Sequence, residues 1–209
     1  RSPRKGEEIP RDMEDYFFTN LRDDVCGYFM AQTSDELCKM LDVSREDADS
    51  FAALSHQRTE NSIRNGIWED EIVEVITPEG VLDSSHDDHV VLGTTMESLS
   101  GLRTHFGPDS LVTAGNASGV VDGAAAIVVK SGARAKSDGD SPLSRIVSWG
   151  IVGLDPKIMA HGPVPSSNLA LQKAGLKVED IDLWEINEAF SGQCVACIKD
   201  LGIHPSKVN

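Results

Sequence analysis

The chain has 209 residues, 40% hydrophobic and 25% charged, a globular composition whose length allows one large domain or two small ones. Asp and Glu number 34 against 19 Lys and Arg, giving a formal charge of −15. That balance argues against nucleic acid and against anionic membranes as partners, because both need clustered positive charge.

A phosphorylated ligand stays compatible with this charge, since a few local cations and helix N-termini can hold one. No apolar run is long enough to cross a bilayer, so no membrane span is expected. Aromatic residues make up only 5%, so the core must come from Val, Ile, Leu and Ala, as in sheets packed against helices. The first residue is Arg, so either the start was processed or the chain is a piece of a longer one.

Residues 1–15 are charged and carry prolines, and read as an exposed arm before an apolar patch at Tyr16, Phe17 and Phe18. Thr33 to Glu36 (T-S-D-E) has the form of a capping box, with Leu37, Met40 and Leu41 following at helical spacing. Ser44 to Asp47 repeats the signal. A helix with Ala48, Phe51, Ala52 and Ser55 on one face should run to about Arg64 and stop at Asn65-Gly66.

Glu71–Thr77 is β-branched and bounded by Pro78 and Gly80, which predicts a strand. A polar loop over 79–95 includes S-S-H-D-D-H, where clustered His and Asp could bind a metal or simply face solvent. Met96–Thr104 reads as a short helix. From Leu111 small residues dominate. Ala124–Val129 and Ser144–Ile151 are predicted strands, the first apolar enough to be buried on both faces. Ser166–Ala174 is a predicted helix, Asp182–Ile186 a strand, and Glu188–Leu201 a helix ended by Gly202. The order strand, helix, strand, helix points to a layered α/β fold.

Three segments could carry chemistry. In I-N-E-A-F-S-G-Q, Asn187 sits where a strand runs into a helix. Its amide could hold a water or a carbonyl oxygen, or it could cap the helix while Glu188 favours the positive end. In T-A-G-N-A-S-G, Gly115 and Gly119 permit close approach of a ligand or tight packing of backbone, with Ala114, Ala117 and Ser118 leaving room alongside. V-G-L-D-P-K-I-M-A-H-G-P-V-P-S is a shaped connection whose His161 is either a base or an ordinary loop histidine. Cys26, Cys38, Cys194 and Cys197 do not form a secreted disulfide framework. C-V-A-C has metal-site and redox-motif spacing, but on a helix it also suits two small buried residues.

Taken together, TAGNASG–VDGAAA, VGxDPxxMxxGPxPS, AGLKVEDIDLWEINEAFSGQ and KDLGI with KVN resemble the thiolase family in order and spacing. DYFFTN, MAQTSDE, SREDADSFAALSHQR and DEIVEV resemble the region that thiolases insert in their first half. The likeness covers about residues 15–209. It implies a thiolase-like layered α/β fold, present in part. Residues 1–112 would be the later part of the inserted loop domain, 113–142 the end of the N-terminal half, and 143–209 the beginning of the C-terminal half.

The activity implied is acyl transfer between coenzyme A thioesters through a cysteine acyl-enzyme. The substrates would be acyl-CoA and CoA, with no permanently bound cofactor and no metal, in a homodimer or homotetramer. The family nucleophile would lie upstream of these residues. The G-H-P histidine and the second cysteine would lie downstream, and none of Cys26, Cys38, Cys194 or Cys197 matches a catalytic position. Asn187 matches the asparagine that orients a water in the oxyanion hole, and Glu188 would fix its loop. Ala189 and Phe190 match residues lining the acyl and pantetheine tunnel. Ser118 and Ala114 match contacts to the pantetheine arm, and Met30 matches a loop-domain methionine beside the substrate.

Phe29 stands where some short-chain members have His, and Ser191-Gly192 where many have Ala-Ala. Two other readings remain: an acyl-CoA-binding member without the thiols, and a ketoacyl synthase, against which N-E-A-F and the inserted domain speak. Mitochondrion, peroxisome-like organelle and cytoplasm are all compatible with the sequence.

Overall fold

A computed structural model describes residues 19–82, 89–121 and 123–209. The predicted arm, the patch at Tyr16 to Phe18 and all of S-S-H-D-D-H except His89 lie outside the described residues.

Helix α1, Met30–Leu41, begins earlier than the T-S-D-E box suggested. Gln32 Oε1 accepts from the Phe29 backbone N–H at 2.9 Å and so satisfies an orphan donor of the first turn. The Thr33 hydroxyl is used inside the helix instead, donating to the Met30 carbonyl at 2.7 Å. Helix α2, Arg45–Arg64, starts and stops as expected, with Ser44 as N-cap and Asn65 as C-cap. The strand expected at 71–77 is shorter: β1, Val75–Thr77, pairs antiparallel with β2, Gly80–Leu82, across Pro78-Glu79. Helix α3, Met96–Ser100, is capped by Thr95.

Helix α4, Gly132–Asp138, escaped the sequence reading although Ser131 caps it and Gly139 ends it with φ 76°. A 3-10 segment, Pro156–His161, leads into helix α5, Pro163–Ala174. That helix begins before Ser166 because prolines fit a first helical turn, where the missing N–H is not needed. Helix α6, Ser191–Leu201, ends at Gly202 as expected but starts later than Glu188.

Three strand expectations are not met. Residues 124–129 and 144–151 carry no ladder and are largely exposed, with Ile127 at 84% and Ile151 at 84%. Over 182–186 only an isolated parallel bridge forms, Trp184 with Val208. A strand is completed by its neighbour's hydrogen bonds, and no neighbouring strand meets 124–129 or 144–151 among the described residues. Ser148 and Trp149 are tied to α5 instead: the Ser148 hydroxyl donates to the Ala170 carbonyl at 2.6 Å, and Lys173 Nζ donates to the Trp149 carbonyl at 3.0 Å.

The core lies where α1 and α6 meet the 3-10 segment and the chain end. It contains Leu37, Cys38, Val43, Ala160, Val164, Ile186, Cys194, Ala196, Cys197, Leu201, Ile203 and Val208. Helix α2 packs on α6 and on α3, where Ala52, Ala53 and Leu99 form a smaller cluster. The close approach of α1 and α6 depends on Gly192, where an added Cβ would lie 2.7 Å from Cys38 Sγ. Cys194 and Cys197 are fully buried core residues, as one reading of C-V-A-C had it.

Candidate functional site

Two backbone segments meet beside α6 and form the wall of a cavity. Residues 113–118 run past 187–191. The Ser118 N–H donates to the Ala189 carbonyl at 3.0 Å, the Ser191 N–H donates to the Asn116 carbonyl at 2.9 Å, and Ala117 and Phe190 form an antiparallel bridge. This pairing keeps 188–190 out of the helix, and Phe190 takes the N-cap position. Asn187 is therefore not the cap of α6, and Glu188 is not in its first turn. The helix-cap reading of Asn187 and the helix-end reading of Glu188 are not met.

The cavity has a volume of about 780 Å³. Met30, Ala114, Ser118, Asn187, Ala189 and Phe190 all line it, although they come from three separate stretches of chain. Phe29 and Phe106 stand at the same cavity with ring centroids 5.7 Å apart. The Asn187 side chain is exposed and its amide has no hydrogen-bond partner among the described residues, so both its donor and its acceptor are free for a ligand or water.

Glu188 lines a second cavity of about 850 Å³, which shares Ala114, Ser118 and Asn187 with the first and is also lined by His56, Thr59 and His89. The Ser55 hydroxyl donates to Glu188 Oε2 at 2.7 Å, which ties this loop to α2. Gly115 is a packing glycine: a Cβ there would come within 2.5 Å of Leu99 and Leu102 side-chain atoms. His161 stands apart from both cavities and pairs with Asp200 at 2.6 Å, joining the 3-10 segment to α6.

No cysteine lines either cavity. Burial pushes the Cys38 thiol up to about 11, and it raises Cys194 and Cys197 as well. A neutral, buried thiol is neither a nucleophile nor a metal ligand.

What the sequence reading missed is the wiring behind the wall. Asn116 is buried, and its amide orientation is dictated by its partners. Oδ1 accepts from the Thr113 N–H at 2.8 Å, so Nδ2 must serve the Leu111 carbonyl at 2.9 Å and Asp49 Oδ1 at 2.8 Å. Asp35 of α1 holds the same stretch from the other side, accepting from the Leu111 N–H at 2.9 Å. The available signal was an acid on the small-residue face of each helix, Asp35 one turn from Ala31 and Cys38, and Asp49 one turn before Ala52 and Ala53.

Comparison with known proteins places this chain in a family. The model described as "Thiolase, N-terminal domain" matches residues 3–133, and that described as "Thiolase, C-terminal domain" matches 140–209. An acetyl-CoA acetyltransferase of Shinella zoogloeoides is 44% identical over 191 residues, covering 90% of this chain and 49% of that protein. The crystal structure of human mitochondrial 3-ketoacyl-CoA thiolase matches with TM-score 0.87 at 38% identity, covering 100% of this chain and 53% of that one. The same human enzyme in complex with CoA matches with TM-score 0.86. The dimeric peroxisomal thiolase of Saccharomyces cerevisiae matches with TM-score 0.79 at 38% identity, covering 88% and 46%.

The chain belongs to the thiolase family, and its fold is part of the layered α/β fold of that family. It spans about half the length of the curated relatives it matches.

Proposed function

We propose that the full-length protein is an acyl-CoA:acetyl-CoA C-acyltransferase. It would cleave 3-ketoacyl-CoA with CoA, or condense two acetyl-CoA, through a cysteine acyl-enzyme. The observation that carries this reading is the convergence of Met30, Ala114, Ser118, Ala189 and Phe190 on one cavity with the unpartnered Asn187 amide at its wall.

In this reading the apolar and small residues accept the acyl group and the pantetheine arm of a CoA thioester. Asn187 orients a water, or donates itself, toward the thioester oxygen as negative charge develops there, which is worth most when the donor is already in place. The nucleophilic thiolate comes from outside these 209 residues, since none of the four cysteines lines the cavity. CoA thioesters are substrates, and no permanently bound cofactor is required. Support for CoA comes from the CoA-bound human relative, and support for a homodimer or homotetramer from the dimeric yeast relative.

Within the full protein we assign residues 1–112 to the later part of the inserted loop domain, 113–142 to the end of the N-terminal half and 143–209 to the start of the C-terminal half. The cavity then lies where all three meet.

The test is thiolysis of acetoacetyl-CoA and of longer 3-ketoacyl-CoA by the full-length protein. Asn187→Ala should lower turnover by about 10²–10³, the scale for losing one oxyanion-hole donor. Wild-type turnover in that variant would remove Asn187 from the mechanism. CoA-thioester binding without turnover in the wild-type protein would favour a non-catalytic acyl-CoA-binding member instead.

A further inference from the structure

Asp49 is a carboxylate in the second turn of α2 with 1% of its surface exposed. A buried charge is costly unless it is paired and hydrogen-bonded, so a position that only had to fill space would be cheaper to fill with an apolar side chain. Both oxygens of Asp49 are used. Oδ2 accepts from Arg45 Nε at 2.7 Å, and Oδ1 accepts from Asn116 Nδ2 at 2.8 Å. Arg45 Nη2 continues the chain of bonds to the carbonyls of Leu99 at 2.9 Å and Leu102 at 3.1 Å, which end α3.

Asp49 itself touches neither cavity. Asn116, however, fixes the turn that carries Ala114 and Ser118, and its carbonyl receives the first N–H of α6 from Ser191. Both halves of the cavity wall therefore meet at Asn116, one through its side-chain amide and one through its backbone carbonyl, and Asp49 holds that side chain together with the Thr113 N–H and the Leu111 carbonyl.

We propose that Asp49 is a positioning residue for the acyl-CoA site. Acting through Asn116, it holds the 113–118 segment against the 187–191 segment. This rests on the acyl-transfer reading above. It predicts that losing Asp49 misplaces the wall rather than merely loosening the fold, and a misplacement of about 1 Å at a reacting geometry can cost about 10²-fold.

The experiment uses the full-length protein with Asp49→Ala, Asn116→Ala, the double variant, and Leu37→Ala as a core deletion that lines neither cavity. Asp49→Ala should lower kcat/KM for acetoacetyl-CoA about 100-fold, measured well below its melting temperature. The double variant should be no worse than the poorer single one, because the two residues act as one unit. Leu37→Ala should lose melting temperature and keep kcat/KM. Should Asp49→Ala fail to fold, Asp49→Asn keeps the shape and one acceptor for Asn116. It should stay within about tenfold of wild type, the loss of charge assistance alone, while Asn116→Ala does not.

Additive losses, or a kcat/KM that falls in step with melting temperature across all variants, would overturn the proposal. Amide hydrogen exchange over 113–118 and 187–191 is read independently of turnover. Faster exchange in both segments of Asp49→Ala supports the wiring, and wild-type exchange in both overturns it. An inactive wild-type enzyme would count against the acyl-transfer reading and leave the exchange result to decide Asp49.

Discussion

Residues 30–64 and 191–208 pack into a core, whereas 123–153 do not, although both stretches are rich in apolar residues. In the first region Leu37, Cys194, Ala196 and Cys197 are fully buried. In the second, Val128 is 86% and Leu143 105% exposed. The difference lies in where each element finds its hydrogen bonds. A helix closes its own ladder and needs only a packing partner for one face. A strand such as 124–129 needs a neighbour for its backbone before its side chains can be covered. The helices of this chain can therefore assemble from its own residues, while its apolar strand-forming segments are left waiting for others.

The largest effect should come from that exposed stretch. The 209 residues expressed alone should self-associate, because a contiguous exposed apolar surface is the usual driver of association. Lysine at Ile127 and Ile151 should reduce the association seen by light scattering. A cooperative melt from a monodisperse monomer would break the contrast between the two regions. A longer protein that supplied neighbouring strands to the stretch should not associate in this way.

A smaller effect tests the packed region. Gly192→Ala drives a Cβ to 2.7 Å from Cys38 Sγ, a contact between two buried helices that neither can avoid by rotating a long side chain. Overpacking of this kind costs about 1–3 kcal/mol. Adding Cys38→Ala should recover part of that loss, so the double variant should be more stable to urea than the sum of the single variants predicts. Strict additivity would show that the helices separate freely and that Gly192 is not what sets their distance.

How much of this was legible in the sequence follows the same divide. The cap at Ser44, the stops at Gly175 and Gly202, and the core role of C-V-A-C are local facts, and local facts are written in neighbouring residues. The site residues could be named because N-E-A-F and T-A-G-N-A-S-G resemble a family. Their convergence on one cavity was not readable from spacing, since Met30 and Phe190 are far apart in sequence. The strands failed because β-propensity reports a side chain suited to a sheet, not whether a sheet is there to receive it. Asn187 misled in the opposite sense. Its sequence position suits an N-cap, but the tertiary bridge between Ala117 and Phe190 moves the helix start to Ser191. The Asp49–Asn116 bond is long-range, so no periodicity announces it.

The smallest effect sits at the start of α2, where the packed region depends on purely local chemistry. Ser44 Oγ accepts from the Asp47 N–H at 3.1 Å, while Asp47 Oδ2 accepts from the Ser44 N–H at 2.8 Å and from its hydroxyl at 2.6 Å. Ser44→Ala should cost about 0.5–2 kcal/mol, as removal of an N-cap does. The bonds from the Ser44 hydroxyl and then from its backbone N–H hold the Asp47 carboxyl below its ordinary value of 3.8. A carboxyl depressed in the folded state adds stability that is fully present above that ordinary value and is lost as pH falls through the lower folded one. The stability gap between wild type and Asp47→Asn should therefore be flat from about pH 7 down to about pH 5 and close only in acid below the ordinary value. Asp47 is exposed, so this gap should also be small. A gap that stayed open at the acid end would mean that helix geometry, not the ionised carboxylate, makes the cap.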